Sequence, residues 1–175
     1  MAISPRVVKR RIKSVRSTGK IMKAMELVAA SKMRKAVQLT LANRPYAAAL
    51  AQMTGEVRAQ LANLTSLFLT GRSKATDHHT TLVVILASDR GLCGGFNTYI
   101  TRKAMEFMRG RSQDSLKVMT VGRRAERGAR QLGHEIIASF PAISNDPAFD
   151  HARPIAKAIV DAFLHQSVDR IFLVY

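Results

Sequence analysis

The stretch "LVVILASDRGLCGGFN", Leu82 to Asn97, sets five aliphatic residues before a glycine-bearing loop, and a helix-permissive run follows. A strand, a glycine turn and a helix is how an α/β unit begins, and it is also how many nucleotide sites begin. The loop lacks both phosphate-binding signatures. A Walker-type loop needs GxxxxGK[ST], and "GLCGGFNT" has neither the lysine nor the hydroxyl at those positions. The dinucleotide fingerprint needs GxGxxG, whereas the glycines here are Gly91, Gly94 and Gly95. Glycines also serve tight turns that require positive φ. The favoured reading is therefore a strand-to-helix turn or a partner contact, not a catalytic loop.

Downstream the pattern repeats. Strands are expected at 82–87, 116–121, 134–140 and 171–175, and helices at about 96–108, 123–132 and 152–165. "PAISNDPAFD" reads as a loop, with Pro154 tolerable in the first turn of the helix after it. Alternation of this kind indicates a parallel sheet with helices on its faces. The last run, "DRIFLVY", suits a buried parallel strand, and a chain stopping inside such a run suggests a fragment.

Upstream, Ser4-Pro5 is a helix start: a hydroxyl cap, then a proline whose missing N–H costs nothing in the first turn. From there to about Leu64 the sequence permits a helix. Val8, Ile12, Val15, Gly19, Met22, Ala29, Met33 and Ala36 recur at spacings of three and four, the coiled-coil period, with Glu26 and Thr40 interrupting it. Pro45 should kink or loosen this helix without ending it. At ~1.5 Å per residue it would be ~90 Å long. A domain with a radius of gyration of ~13 Å cannot cover that length, so the apolar seam needs a partner. The expected division is a helical segment 1–69, a polar linker 70–81 and an α/β domain 82–175.

The formal net charge of +16 favours acidic partners, and residues 1–55 concentrate it, with twelve Lys/Arg against the single acid Glu26. Basic residues surround the seam, unlike a basic region followed by a leucine zipper. No aromatic precedes Tyr46, unlike a membrane-surface helix. A basic rod packed inside a protein assembly fits best; nucleic-acid binding through this helix is the alternative. The single cysteine, Cys93, excludes an internal disulfide and fits a reducing compartment. No apolar run approaches the ~20 residues of a membrane span. The basic N-terminus has the composition of a transit peptide but no signal-peptide core. Cys93 beside Arg90 has the charge setting of a reactive thiol, though a small, partly buried thiol is preferred. His78, His79, His134, His151 and His165 sit at no metal-ligand spacing. Asp146 and Asp150 read as turn and cap residues. No catalytic, cofactor-binding or metal residue is assigned.

Two longer segments carry a resemblance. "STGKIMKAMELVAASKMRKA" (Ser17–Ala36) and "SDRGLCGGFN" (Ser88–Asn97), with "NRPYA" (Asn43–Ala47) between them and "DRIFLVY" at the end, resemble the gamma subunit of F-type ATP synthases over the whole 175 residues. The resemblance implies an α/β fold: a long N-terminal coiled-coil helix, then a Rossmann-like parallel sheet with flanking helices, truncated before its last strand and a C-terminal helix. It makes residues 1–25 part of the mature helix. It implies a rotor whose N-terminal helix pairs with that C-terminal helix as an axle inside a ring of alpha and beta subunits. The α/β domain would stand at the foot, beside epsilon and the c-ring, with ATP chemistry left to beta. Lys20, Lys23 and Met25 would face beta. The loop Asp89, Arg90, Gly91, Cys93, Gly94 and Gly95 would be a family signature with a positioning role. The implied location is peripheral, on the cytoplasmic side of a bacterial inner membrane rather than in mitochondria.

Overall fold

A computed structural model describes residues 4–60, 66–71, 79–143 and 148–175. The chain divides into two compact units, Met1–Thr65 and Ser66–Tyr175. The first holds one helix, α1, Pro5–Gln60, of 56 residues, which is about 84 Å at about 1.5 Å per residue. The backbone N–H groups of Val7 and Val8 donate to the Ser4 carbonyl, so the helix starts at the expected proline. Ala, Met, Leu, Lys and Arg favour helix throughout. Pro45 removes one backbone donor, yet the helix runs on to Gln60. Its expected end near Leu64 lies outside the described residues. No α1 side chain is buried, and the seam is open: Ile12 is 48% exposed, Met22 51% and Met33 64%.

The second unit opens with a one-turn helix, α2 (Leu67–Thr70), whose Phe68 ring lies 5.4 Å from that of Phe163. Residues 66–69, grouped with the long helix by sequence, thus sit with the α/β unit. Most of the expected linker, 72–78 with His78, lies outside the described residues, as does Asp146. There follow β1 (Thr80–Leu86), α3 (Phe96–Arg109), β2 (Ser115–Val121), α4 (Arg123–Arg130), β3 (Glu135–Phe140), α5 (Phe149–Leu164) and β4 (Arg170–Val174). The four strands form one sheet in the order β3-β2-β1-β4, and every pairing is parallel.

Side chains alternate across a strand, so β1 feeds two cores. Val83 and Ile85 join Val118 and meet Ile100, Ala104 and Met108 of α3, at the i, i+4, i+8 spacing of one helix face, with Ala125 and Ala129 of α4. Leu82 and Val84 point the other way, with Met119 and Val121, toward Phe163 and the half-buried Ile155 and Ile159 of α5. Helix α5 begins at Phe149, three residues before its expected start. Pro154 is therefore its sixth residue rather than a first-turn one, and the helix forgoes a bond to the Asp150 carbonyl. Because β4 lies on the far side of β1 from β2, the order reverses between β1 and β4, and the loop after β1 sits at that switch point.

Candidate functional site

The loop Ala87–Gly95 leaves the carboxyl end of β1 and is held by its neighbours. Asp89 Oδ1 accepts from the backbone N–H of Arg123 at 3.0 Å, the first residue of α4, and from that of Ala142 at 2.7 Å, just after β3. One carboxylate so ties the ends of three adjacent strands, with a negative charge at a helix N-terminus. The Ser88 carbonyl accepts from Arg124 N–H at 3.0 Å. Asn97, in the first turn of α3, accepts from Ser88 N–H at 3.1 Å and donates to Cys93 Sγ at 2.9 Å. Cys93 is half-buried, and no histidine bonds to it among the described residues. Gly94 has φ +59°, and Gly95 immediately precedes α3.

Arg90 and Gly91 are exposed at the loop's crest beside Leu92. Sequence reasoning passed over Leu92, which holds φ +64° and is 81% exposed. A branched apolar residue in the left-handed region, facing outward, combines backbone strain with unburied apolar surface. Its one signal in the sequence was a leucine standing between glycines.

On α1, Lys20, Lys23 and Met25 are all exposed. Lys23 Nζ pairs with Glu26 at 3.0 Å, one turn on, whereas Lys20 makes no side-chain bond among the described residues. At about 100° per residue, Lys20 and Lys23 lie about 60° apart, and Met25 about 160° from Lys23. The two lysines share a side of the helix; Met25 does not.

Elsewhere several titratable groups serve the scaffold. Asp169 Oδ2 accepts from Thr80 N–H at 2.8 Å, pinning β4 to β1, and His79 Nε2 lies 2.8 Å from Arg170 Nη2. Glu126 on α4 pairs with Arg130 at 2.7 Å and accepts from Ser139 Oγ of β3 at 3.0 Å. Those two partners, Arg130 first, hold its carboxyl below the usual glutamate range. Among the described residues, no helix is long and apolar enough to cross a membrane.

A family model described as ATP synthase matches residues 4–175. The chain belongs to the ATP synthase gamma-chain family. The ATP synthase gamma chain of Chloroherpeton thalassium is 34% identical over 97% of this chain and 57% of its own length. That of Chlorobium luteolum is 35% identical over 94% of this chain and 58% of its own. The chain thus spans somewhat under three-fifths of the curated relatives it matches. The central stalk and c-ring structure of Tetrahymena thermophila mitochondrial ATP synthase aligns with a TM-score of 0.60 and 29% identity, over 89% of this chain and 64% of that one. The rotor of Euglena gracilis mitochondrial ATP synthase, at TM-score 0.52 and 14% identity, shares the fold. Family membership accounts for a long helix joined to a parallel α/β unit, as the resemblance implied. The nucleic-acid alternative finds no support among these gamma chains.

Proposed function

We propose that the chain is the central-stalk rotor segment of a rotary, proton-translocating ATP synthase, transmitting rotation between a membrane c-ring and the nucleotide sites of beta subunits. The observation that carries this is α1: 56 residues with an apolar seam and not one buried side chain. Such a helix is a stiff shaft awaiting a second helix and a surrounding ring. The chain itself is non-catalytic in this reading, and its place is peripheral, on the cytoplasmic face of a bacterial membrane. Alpha, beta, epsilon and c subunits are its partners. Lys20 and Lys23 offer charge to an acidic beta surface, which guides contact without a deep interlock. Met25 lies on another flank and serves a different contact. The loop Asp89–Gly95 positions the foot, with Leu92 as its exposed apolar contact.

Immunoprecipitation from the source cells with an antibody to the α/β unit tests the reading. Alpha and beta subunits are expected alongside the chain, and their absence overturns it. Within the assembled complex, a Lys20→Gln/Lys23→Gln variant is expected to lower ATP-driven proton pumping relative to ATP hydrolysis. Unchanged coupling would remove the two lysines from the contact.

A further inference from the structure

Beside the β1 loop, α3 and α4 enclose an open groove of about 310 Å³, at the small end of the roughly 300–1,000 Å³ of ligand clefts. Arg102 from α3 and Arg124 and Arg127 from α4 line it, together with Thr98, Thr101 and Gln131. Among the described residues, no carboxylate lines it, and neither does any aromatic ring. The helices approach closely here because α4 carries Gly128, where a Cβ would stand 2.5 Å from Thr101 Oγ1.

Among the described residues, two of these arginines have no counter-ion and the third has only a distant one. Arg124 and Arg127, one turn apart on α4, make no side-chain hydrogen bond or ion pair among the described residues. Arg102 Nε reaches Glu106 only at 3.9 Å, while Lys103 holds that carboxylate at 3.1 Å. Like charges one turn apart on a helix cost stability unless something anionic neutralises them. Guanidinium forks match phosphate oxygens bidentately. The β1 loop adjoins the groove without forming it: the Arg124 guanidinium rests 3.1 Å from where a Cβ at Gly91 would stand.

We propose that this groove binds an anion carrying more than one phosphoryl group, recognised through its phosphates alone. Three uncommitted or loosely committed cations suit a diphosphate better than a single phosphate. The absence of an aromatic lining leaves nothing to stack a base, so the site does not distinguish a nucleotide from inorganic pyrophosphate. The proposal is independent of the rotor reading, since it rests on α3 and α4 only.

Calorimetry on the full chain with inorganic pyrophosphate, at physiological salt, tests it. Saturable one-to-one binding is expected, with ADP comparable within about threefold and orthophosphate at least tenfold weaker. Arg124→Gln/Arg127→Gln should weaken pyrophosphate at least tenfold while leaving the circular dichroism melt in place. Lys9→Gln/Lys13→Gln removes equal charge from α1 and should change nothing. If the double arginine variant fails to fold, Arg102→Gln and Gly91→Leu supply the same comparison from α3 and the loop. Vesicles of anionic phospholipid separate the sources: displacement of bound vesicles by pyrophosphate, sensitive to the arginine variant, makes a lipid headgroup the natural phosphate. Vesicle binding that ignores the variant makes it a free phosphate. No pyrophosphate binding at millimolar concentration, or equal loss in the lysine control, overturns the proposal.

Discussion

Gly122 closes the turn between β2 and α4 at φ +94°, and a Cβ there would stand 2.1 Å from the Ala87 carbonyl oxygen. Both the dihedral and the contact demand glycine, because the obstacle is backbone and cannot swing aside. Gly122→Ala is expected to cost at least about 2–3 kcal/mol, read as lost hydrogen-exchange protection in β1 and β2. Leu92 presents the opposite case, a strained residue that no packing requires. Leu92→Gly relieves left-handed strain of roughly 1 kcal/mol, so the isolated unit should melt no lower than the parent. Under the proposed rotor function, in which the loop's crest is a contact, assembly with partner subunits should nonetheless weaken. A drop in unit stability would instead make Leu92 structural. Neither position was legible beforehand. A glycine after a strand is ordinary, and only the neighbouring Ala87 carbonyl makes Gly122 irreplaceable. Asp89 was legible as part of a signature loop, but its bonds to Arg123 and Ala142 depend on strands that become neighbours only when the sheet forms.

At the scale of elements, α4 carries small residues where α3 has larger ones. Ala125, Gly128 and Ala129 let it sit close to the sheet and to α3, and Glu126 then reaches Ser139 on β3. Glu126, with its carboxyl held down by Arg130 and Ser139, contributes stability that is present above the unfolded glutamate pKa. That contribution is lost as pH falls through the lower folded value. An NMR titration of the Glu126 carboxyl should show a midpoint below that of a free glutamate, moving upward in Arg130→Gln. A midpoint unmoved by that change would mean the pair contributes nothing in solution. The strands and helices of this unit were readable because alternating apolar runs and i, i+4 spacing survive any tertiary context. The start of α5 was misjudged because Pro154 was read as a first-turn residue, where proline is commonest. Packing of Ile155, Ile159 and Phe163 on the sheet offsets the lost bond and lets the helix begin at Phe149.

For the molecule as a whole, the two units differ in what holds them. The α/β unit has two cores of its own, one on each face of the sheet. The helix α1 has none, so its order rests on intrinsic propensity and on ion pairs such as Lys23–Glu26, which contribute only a few tenths of a kcal/mol when exposed. Long single helices in water are stabilised mainly by packing of an apolar face, and this face is unpacked. Hydrogen exchange on the chain at low concentration should therefore find β1 and β2 protected and the amides of residues 8–36 exchanging orders of magnitude faster. Supplying a partner helix, or the ring of subunits that the rotor proposal invokes, should raise protection at Ile12, Met22 and Met33, where the exposed seam would be covered. The charge pattern adds a discriminating feature. If α1 instead gains protection by self-association, added salt should promote it, because twelve basic residues in the first 55 repel their copies until screened. Docking onto an acidic partner has the reverse dependence and weakens with salt. A monomeric chain with α1 protected as strongly as the sheet, at any salt concentration, would falsify the view that this helix is completed by another.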